Sequence, residues 1–273
     1  MWTKGINQWV FPAGTPVERA MEEAAQAGFE AFEVCFGPDG PLPLEMTGAE
    51  AAALRRHAES LGLALSSVAS GMGWQFPLSS PDPAVRERGL ETNRRMLQLA
   101  AWLGADTLLV VPGLVTPEVS YDEALETALA SVRLLADTAE SLGVGIGVEN
   151  VWNKFLLSPV EMRDFIDHCE SPRVGAYVDT GNMMPYGYPE QYLRILGRRV
   201  LKVHAKDFRV SAGNLDGFVM LLEGDVDWPA VAAALRDMDY NGPMTAEIGP
   251  YRHGGGAQLR QISTALDAIR EMA

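Results

Sequence analysis

Four segments in the second half of the chain end in the same way. "VGIGVEN" brings Glu149, "VGAYVDTGN" brings Asp179, "VLKVHAKDF" brings His204 and "PMTAEIG" brings Glu247. In each, apolar residues alternate with small or polar ones, which is the period of a strand with two unlike faces. Val144, Ile146 and Val148 oppose Gly145, Gly147 and Glu149; Val174, Ala176 and Val178 oppose Gly175, Tyr177 and Asp179. Leu201, Val203 and Ala205 oppose Lys202, His204 and Lys206, and Met244, Ala246 and Ile248 oppose Thr245 and Glu247. One glutamate at a strand end is ordinarily a solvated loop residue, and one histidine is ordinarily a hydrogen-bonded core residue. The same face and the same end on four successive strands is a stronger pattern, because adjacent strands would bring all four side chains together.

Three carboxylates cannot share a small, partly dry space as bare anions. They must take up protons or find a cation. Three oxygen donors and one imidazole suit a divalent metal, Mn²⁺ first, with Mg²⁺, Co²⁺ or Fe²⁺ as alternatives. The set lacks thiolates, so a structural zinc site does not fit. Cys35 and Cys169 stand apart from one another with no metal-binding spacing and read as small buried hydrophobes.

These residues need elements to hold them. Strand-like stretches fall at 4–11, 29–36, 63–70, 106–112, 144–150, 174–179, 200–206 and 243–248. Helix patterns lie between and after them. One runs from a Thr15 cap to Gly28 and another from Thr47 to Gly62; two longer ones end in Leu-Gly at Gly104 and Gly143. Shorter helices are expected over 159–169, 189–197, 228–238 and 256–272. Strict alternation implies parallel strands, since each must be followed by a crossover helix. Eight such units in 273 residues predict a single α/β domain over 1–273, a closed (β/α)8 barrel, with an open doubly wound sheet as the alternative. Segments 72–83 and 208–226, rich in Gly, Pro, Ser and Asp, read as long loops that could cover one face.

The bulk numbers narrow the partners. A hydrophobic fraction of 47% is ample for a filled interior. With 36 acidic and 22 basic side chains the formal net charge is -14, which repels phosphate backbones and anionic lipid. Neither nucleic acid nor membrane is an expected partner. "MWTKGINQWVF" lacks the apolar run of a signal peptide, so the expectation is a soluble, cytoplasmic protein.

The stretches "GVENVWNKFLLSP", "YVDTGNMMPYGYPEQYLRILG", "VLKVHAKDF" and "AEIG" resemble the sugar phosphate isomerase/epimerase superfamily, with its xylose-isomerase-like TIM barrel. The likeness is nearest to ketose 3-epimerases and L-ribulose- or hexulose-phosphate 3-epimerases, and covers most of 144–250. It implies metal ligands at Glu149, Asp179, His204 and Glu247, with Glu149 and Glu247 also moving the proton. It further implies inversion of C3 of a ketose or ketose phosphate through an enediolate, without an organic cofactor, and a homodimer or homotetramer. Two positions depart from the pattern. Where the family often has a histidine three residues after the aspartate, this chain has Asn182. Where free-ketose epimerases have an arginine six residues after the histidine, it has Val210, beside Arg209.

Candidate substrate contacts are therefore Asn182, Lys206 and Arg209, together with Glu33, which shares a face with Ala31 and Cys35, and Trp9, which could stack on a sugar ring. For Glu33 a salt bridge at the rim is an equal reading. Related chemistry on the same barrel is the alternative: aldose–ketose isomerase, hydroxypyruvate isomerase or inosose dehydratase. A non-catalytic sugar- or metal-binding barrel is the reading from another class.

Overall fold

The computed structural model describes residues 2–37 and 42–272. The alternating runs form β1 (Thr3–Asn7), β2 (Ala31–Phe36), β3 (Ala64–Ser70), β4 (Thr107–Val110), β5 (Gly145–Glu149), β6 (Val174–Asp179) and β7 (Val200–Ala205). Two short antiparallel strands, β8 (Asp207–Phe208) and β9 (Phe218–Val219), make a hairpin outside the barrel, and β10 (Pro243–Ala246) is its last stave. The barrel closes in the order β1-β10-β7-β6-β5-β4-β3-β2, and every neighbouring pair is parallel.

The helices that cover it are α1 (Val17–Gln26), α2 (Gly48–Ser60), α3 (Pro83–Leu103), α4 (Tyr121–Leu142), α5 (Pro159–His168), α6 (Pro189–Leu196), α7 (Trp228–Asp237) and α8 (Gly255–Glu271). Thr47 and Glu50 form a capping box on α2, and Gly104 and Gly143 end α3 and α4 in the left-handed conformation that glycine adopts without strain. No described helix is long and apolar enough to cross a membrane.

The two strand faces separate as the alternation requires. Ile146, Val148, Val178, Val203 and Ala246 join the large apolar cluster against the helices. A smaller cluster lies within the barrel: Cys35, Ala69, Leu109, Val111, Val151 and Tyr177, with Trp9 packed against it. Gly147 makes room for Tyr177, since a Cβ there would stand 3.0 Å from the Tyr177 ring.

Local chemistry moved several boundaries. The first strand stops at Asn7 rather than 11, because the Asn7 side chain accepts a hydrogen bond from the Trp9 amide and turns the chain into a 3-10 segment, Gln8–Val10. Thr15 does not cap α1; its hydroxyl donates to the Pro12 carbonyl, and Pro16 occupies the cap. Leu201 does not stay on the helix-facing side. A bulge between β6 and β7 re-aims it toward the inner-face glycines Gly145 and Gly175. The 208–226 loop is built around the hairpin. Asp207, 1% exposed, accepts from the Leu222 and Val226 amides and the Trp228 indole, which ties the loop to the barrel top.

Candidate active site and metal centre

Glu149 and Asp179 are the last residues of β5 and β6, His204 lies in β7, and Glu247 follows β10 directly. Closure of the barrel makes these strands neighbours, with β7 between β6 and β10. One donor atom from each of the four residues lies within 4.8 Å of all the others. His204 Nδ1 is 2.8 Å from Glu247 Oε2, 3.2 Å from Glu149 Oε1 and 3.9 Å from Asp179 Oδ2.

Asp179 is held rigidly. Its Oδ1 accepts from the Gly181 and Asn182 amides at 2.9 and 2.8 Å, and its backbone is clamped by the Asn150 side chain. Its Oδ2 is buried and accepts no hydrogen bond among the described residues. Lys206 Nζ stands 3.1 Å from it, close enough for an ion pair but not aligned as a donor, and 2.9 Å from Glu247 Oε2.

Glu33 is wholly buried on the other side of the imidazole. Its Oε1 accepts from Asn7 Nδ2 at 2.5 Å and meets His204 Nε2 at 2.7 Å. Its Oε2 accepts from the Ser67 and Tyr177 hydroxyls, both at 2.6 Å. Both oxygens are thus engaged within the protein, away from the rim. With Nε2 facing Glu33, Nδ1 is the nitrogen turned to the three other carboxylates, the usual arrangement of a metal-ligating histidine and its supporting acid.

Burial pushes the Glu149 carboxyl up to about 7, partly offset by His204, and it raises Asp179 as well. Burial also opposes ionisation of Glu247, but Lys206 and His204 prevail and hold it well below the ordinary carboxylate range. His204 is pulled both ways: burial disfavours its charged form, while Glu33 and Glu247 favour it and raise the imidazole well above its usual value. Four carboxylates thus crowd around one lysine and one imidazole. The donor chemistry, the buried Asp179 Oδ2 that accepts no hydrogen bond among the described residues and the crowding of carboxylates all fit a divalent cation.

Above this centre lies a cavity of about 240 Å³ whose walls include Trp9, Trp74, Trp152, Asn182, Lys206 and Phe218. Trp152 is fixed by donating its indole N–H to the Asn182 carbonyl at 2.8 Å, and it packs edge-on against Phe208. Trp9, Asn182 and Lys206, expected as substrate contacts, line this cavity. Arg209 does not: its guanidinium donates to the Glu223 carbonyl at 3.2 Å on the exposed side of the hairpin. The sequence reading missed Asn7, Ser67 and Tyr177, the partners of Glu33. Only the inward face of Tyr177 hinted at their place.

A closed barrel of parallel strands with acidic side chains gathered at the C-terminal mouth is the architecture of barrel enzymes. This chain belongs to the xylose isomerase-like TIM barrel family, whose sequence profile matches residues 21–272. An uncharacterized protein of Methanocaldococcus jannaschii is 26% identical over 185 residues; that alignment spans 63% of this chain and 62% of that protein. A putative L-ribulose-5-phosphate 3-epimerase of Haemophilus influenzae is 23% identical over 250 residues, covering 89% of this chain and 87% of the relative. Among solved structures, D-psicose 3-epimerase from Clostridium cellulolyticum H10, determined with D-tagatose, superposes with a TM-score of 0.81 at 20% identity, over 99% of both chains.

Proposed function

We propose that this chain, an enzyme of the isomerase and epimerase class, inverts C3 of a ketose or ketose phosphate with the help of a divalent metal, Mn²⁺ being the best match to the donors. The observation that carries this reading is the convergence of two glutamates, an aspartate and an imidazole within 4.8 Å beneath a sugar-sized cavity. Glu149, Asp179, His204 and Glu247 would hold the ion, and the bound ion supplies Lewis-acid polarisation of the carbonyl and the adjacent hydroxyl.

The protein's own groups do the rest. Glu149 and Glu247 come from β5 and from the end of β10, on either side of the strands that carry Asp179 and His204. One carboxylate takes the C3 proton from one face of the sugar, and the other returns a proton to the opposite face. Glu33 keeps the imidazole oriented, Lys206 supplies a positive charge beside Glu247, and the indole walls exclude water from the carbanionic carbon.

The test is exchange of the C3 hydrogen with D₂O in the Mn²⁺-supplemented protein. Glu149→Gln and Glu247→Gln should each reduce exchange by about 10²- to 10⁴-fold while leaving the fold intact. Full exchange in both variants would overturn the assignment.

A further inference from the structure

The proposed chemistry occupies one end of a longer space. Glu149 and Glu247 line the cavity of about 240 Å³, smaller than the roughly 300 to 1,000 Å³ of pockets for drug-sized ligands. A second cavity, of about 450 Å³, lies between the loops that follow β7 and β10. Beyond it a third, of about 560 Å³, shares Met220 and Tyr251 with the second and runs along α8. Room beyond the reacting end is therefore not what limits a substrate.

Among the described residues, Lys206, Phe218 and Glu247 line both the first cavity and the second, so they form the seam between the two. Two of them are committed to the centre. Glu247 is a proposed ligand and base, and Lys206 stands against Glu247 and Asp179 at 2.9 and 3.1 Å. Phe218 brings only its ring, and that ring is held from several sides. It meets Phe208 edge-on with centroids 5.0 Å apart, and the Trp152 ring lies 5.5 Å away. Lys206 Nζ is 5.6 Å from its centroid. Gly217 leaves space for this packing, since a Cβ there would stand 2.5 Å from the Phe208 ring. The hairpin fixes the backbone: Phe208 pairs with Phe218, and the Arg209 amide donates to the Gly217 carbonyl at 2.8 Å.

The surface offered at the seam is apolar. Arg209 is turned outward to the Glu223 carbonyl, so the hairpin brings a phenyl ring there and no guanidinium. A ketose that grew past the ring would have to displace it. A hydroxyl pressed against it would lose water and gain no hydrogen bond. We infer that Phe218 sets the chain length of the sugar, as a specificity-determining partition that confines the ketose to the first cavity. This rests on the proposed ketose chemistry.

The experiment compares the native protein, Phe218→Ala and Phe218→Tyr, all loaded with Mn²⁺. The probes are D-xylulose, D-fructose and D-sedoheptulose, which add one carbon at a time and keep the configuration of the shared centres. The quantity read is kcat/KM for exchange of the C3 hydrogen in D₂O, as the ratio of D-sedoheptulose to D-xylulose. The native protein should favour D-xylulose. Phe218→Ala joins the two cavities and should raise the ratio by about tenfold or more, with a smaller shift for D-fructose. Phe218→Tyr retains the ring and should retain the native ratio. Three results overturn the inference: an unchanged or lower ratio in Phe218→Ala, a tyrosine variant that shifts as far as the alanine one, or a native protein that takes D-sedoheptulose as readily as D-xylulose. Should Phe218→Ala not fold, Phe218→Leu is read in its place; a severalfold rise is expected, and no rise overturns the partition.

If no probe exchanges with any of these proteins, the epimerase reading fails, and calorimetric binding of the same sugars decides the partition. An affinity ratio that shifts toward D-sedoheptulose in Phe218→Ala sustains it. An unshifted ratio, or no binding at all, overturns it.

Discussion

Two lysines four residues apart, on β7 and just past its end, meet opposite circumstances. Lys202, toward the N-terminal end of the barrel, pairs at 2.7 Å with Asp106, whose side chain is 70% exposed. Lys206, at the C-terminal mouth, lies between Asp179 and Glu247, both far more enclosed. At the bottom one cation meets one wet acid, and the charges balance. At the mouth Glu33, Glu149, Asp179 and Glu247 crowd around one lysine and one imidazole. A barrel selected for stability alone would have no reason to gather uncompensated carboxylates in a dry place. The bottom pair therefore reads as a plug, and the mouth as a place where a bound cation would be favourable.

The contrast is most directly broken at Asp179. Saturating Mn²⁺ should raise Tm of the native protein by on the order of 5 to 10 °C, if present at about 100 times its Kd. Asp179→Asn should abolish that gain, and an undiminished gain measured by calorimetry would place the metal elsewhere. The gain should be larger at pH 8 than at pH 6. Glu149, lifted by burial to about 7, must lose its proton to bind a cation, so affinity rises with pH through that value. The metal-free fold moves the other way. Above about pH 4.3 unfolded Glu149 has lost the proton that the folded form keeps, so stability from this group falls as pH climbs to about 7. His204, also raised, loses its contribution in the same direction. Glu33 and Glu247, both lowered, already contribute fully across this window.

Glu33→Gln tests the support behind the imidazole. An amide cannot reproduce a carboxylate that accepts on both oxygens, so Mn²⁺ binding should weaken by about 10- to 100-fold. Binding unchanged in titration would reduce Glu33 to packing. The smallest effect belongs to the other end. Lys202→Met should alter stability by under about 1 kcal/mol, because its partner is mostly hydrated, and C3 exchange should stay within about twofold of native. A large loss of exchange there would erase the distinction between the two ends.

Much of the barrel was legible because it follows from period. Two-residue alternation around Gly147 and Tyr177, and helix patterns closed by Gly104 and Gly143, report backbone preferences that each segment carries by itself. Glu149, Asp179, His204 and Glu247 were legible for the same reason, as breaks in an apolar rhythm at matching strand ends. Other features had no local signal. Glu33 reads in its own strand as one inward glutamate, yet its partners come from β1, β3, β6 and β7. Arg209 looked as close to the sugar as Lys206, and the anchoring of the hairpin by Asp207 left it outside. Leu201 escaped its alternation through a bulge that depends on how β6 and β7 register.

By itself, then, the order of residues determined the elements, their sequence along the chain and which face of each strand is polar, since these depend on neighbours a few positions away. Only the closed barrel decided which polar groups touch. It set the imidazole between Glu33 and three further acids and placed a lysine against two of them. Electrostatic energies turn on distances of a few ångströms and on the exclusion of water, and both arise only when strands remote in sequence close into one ring.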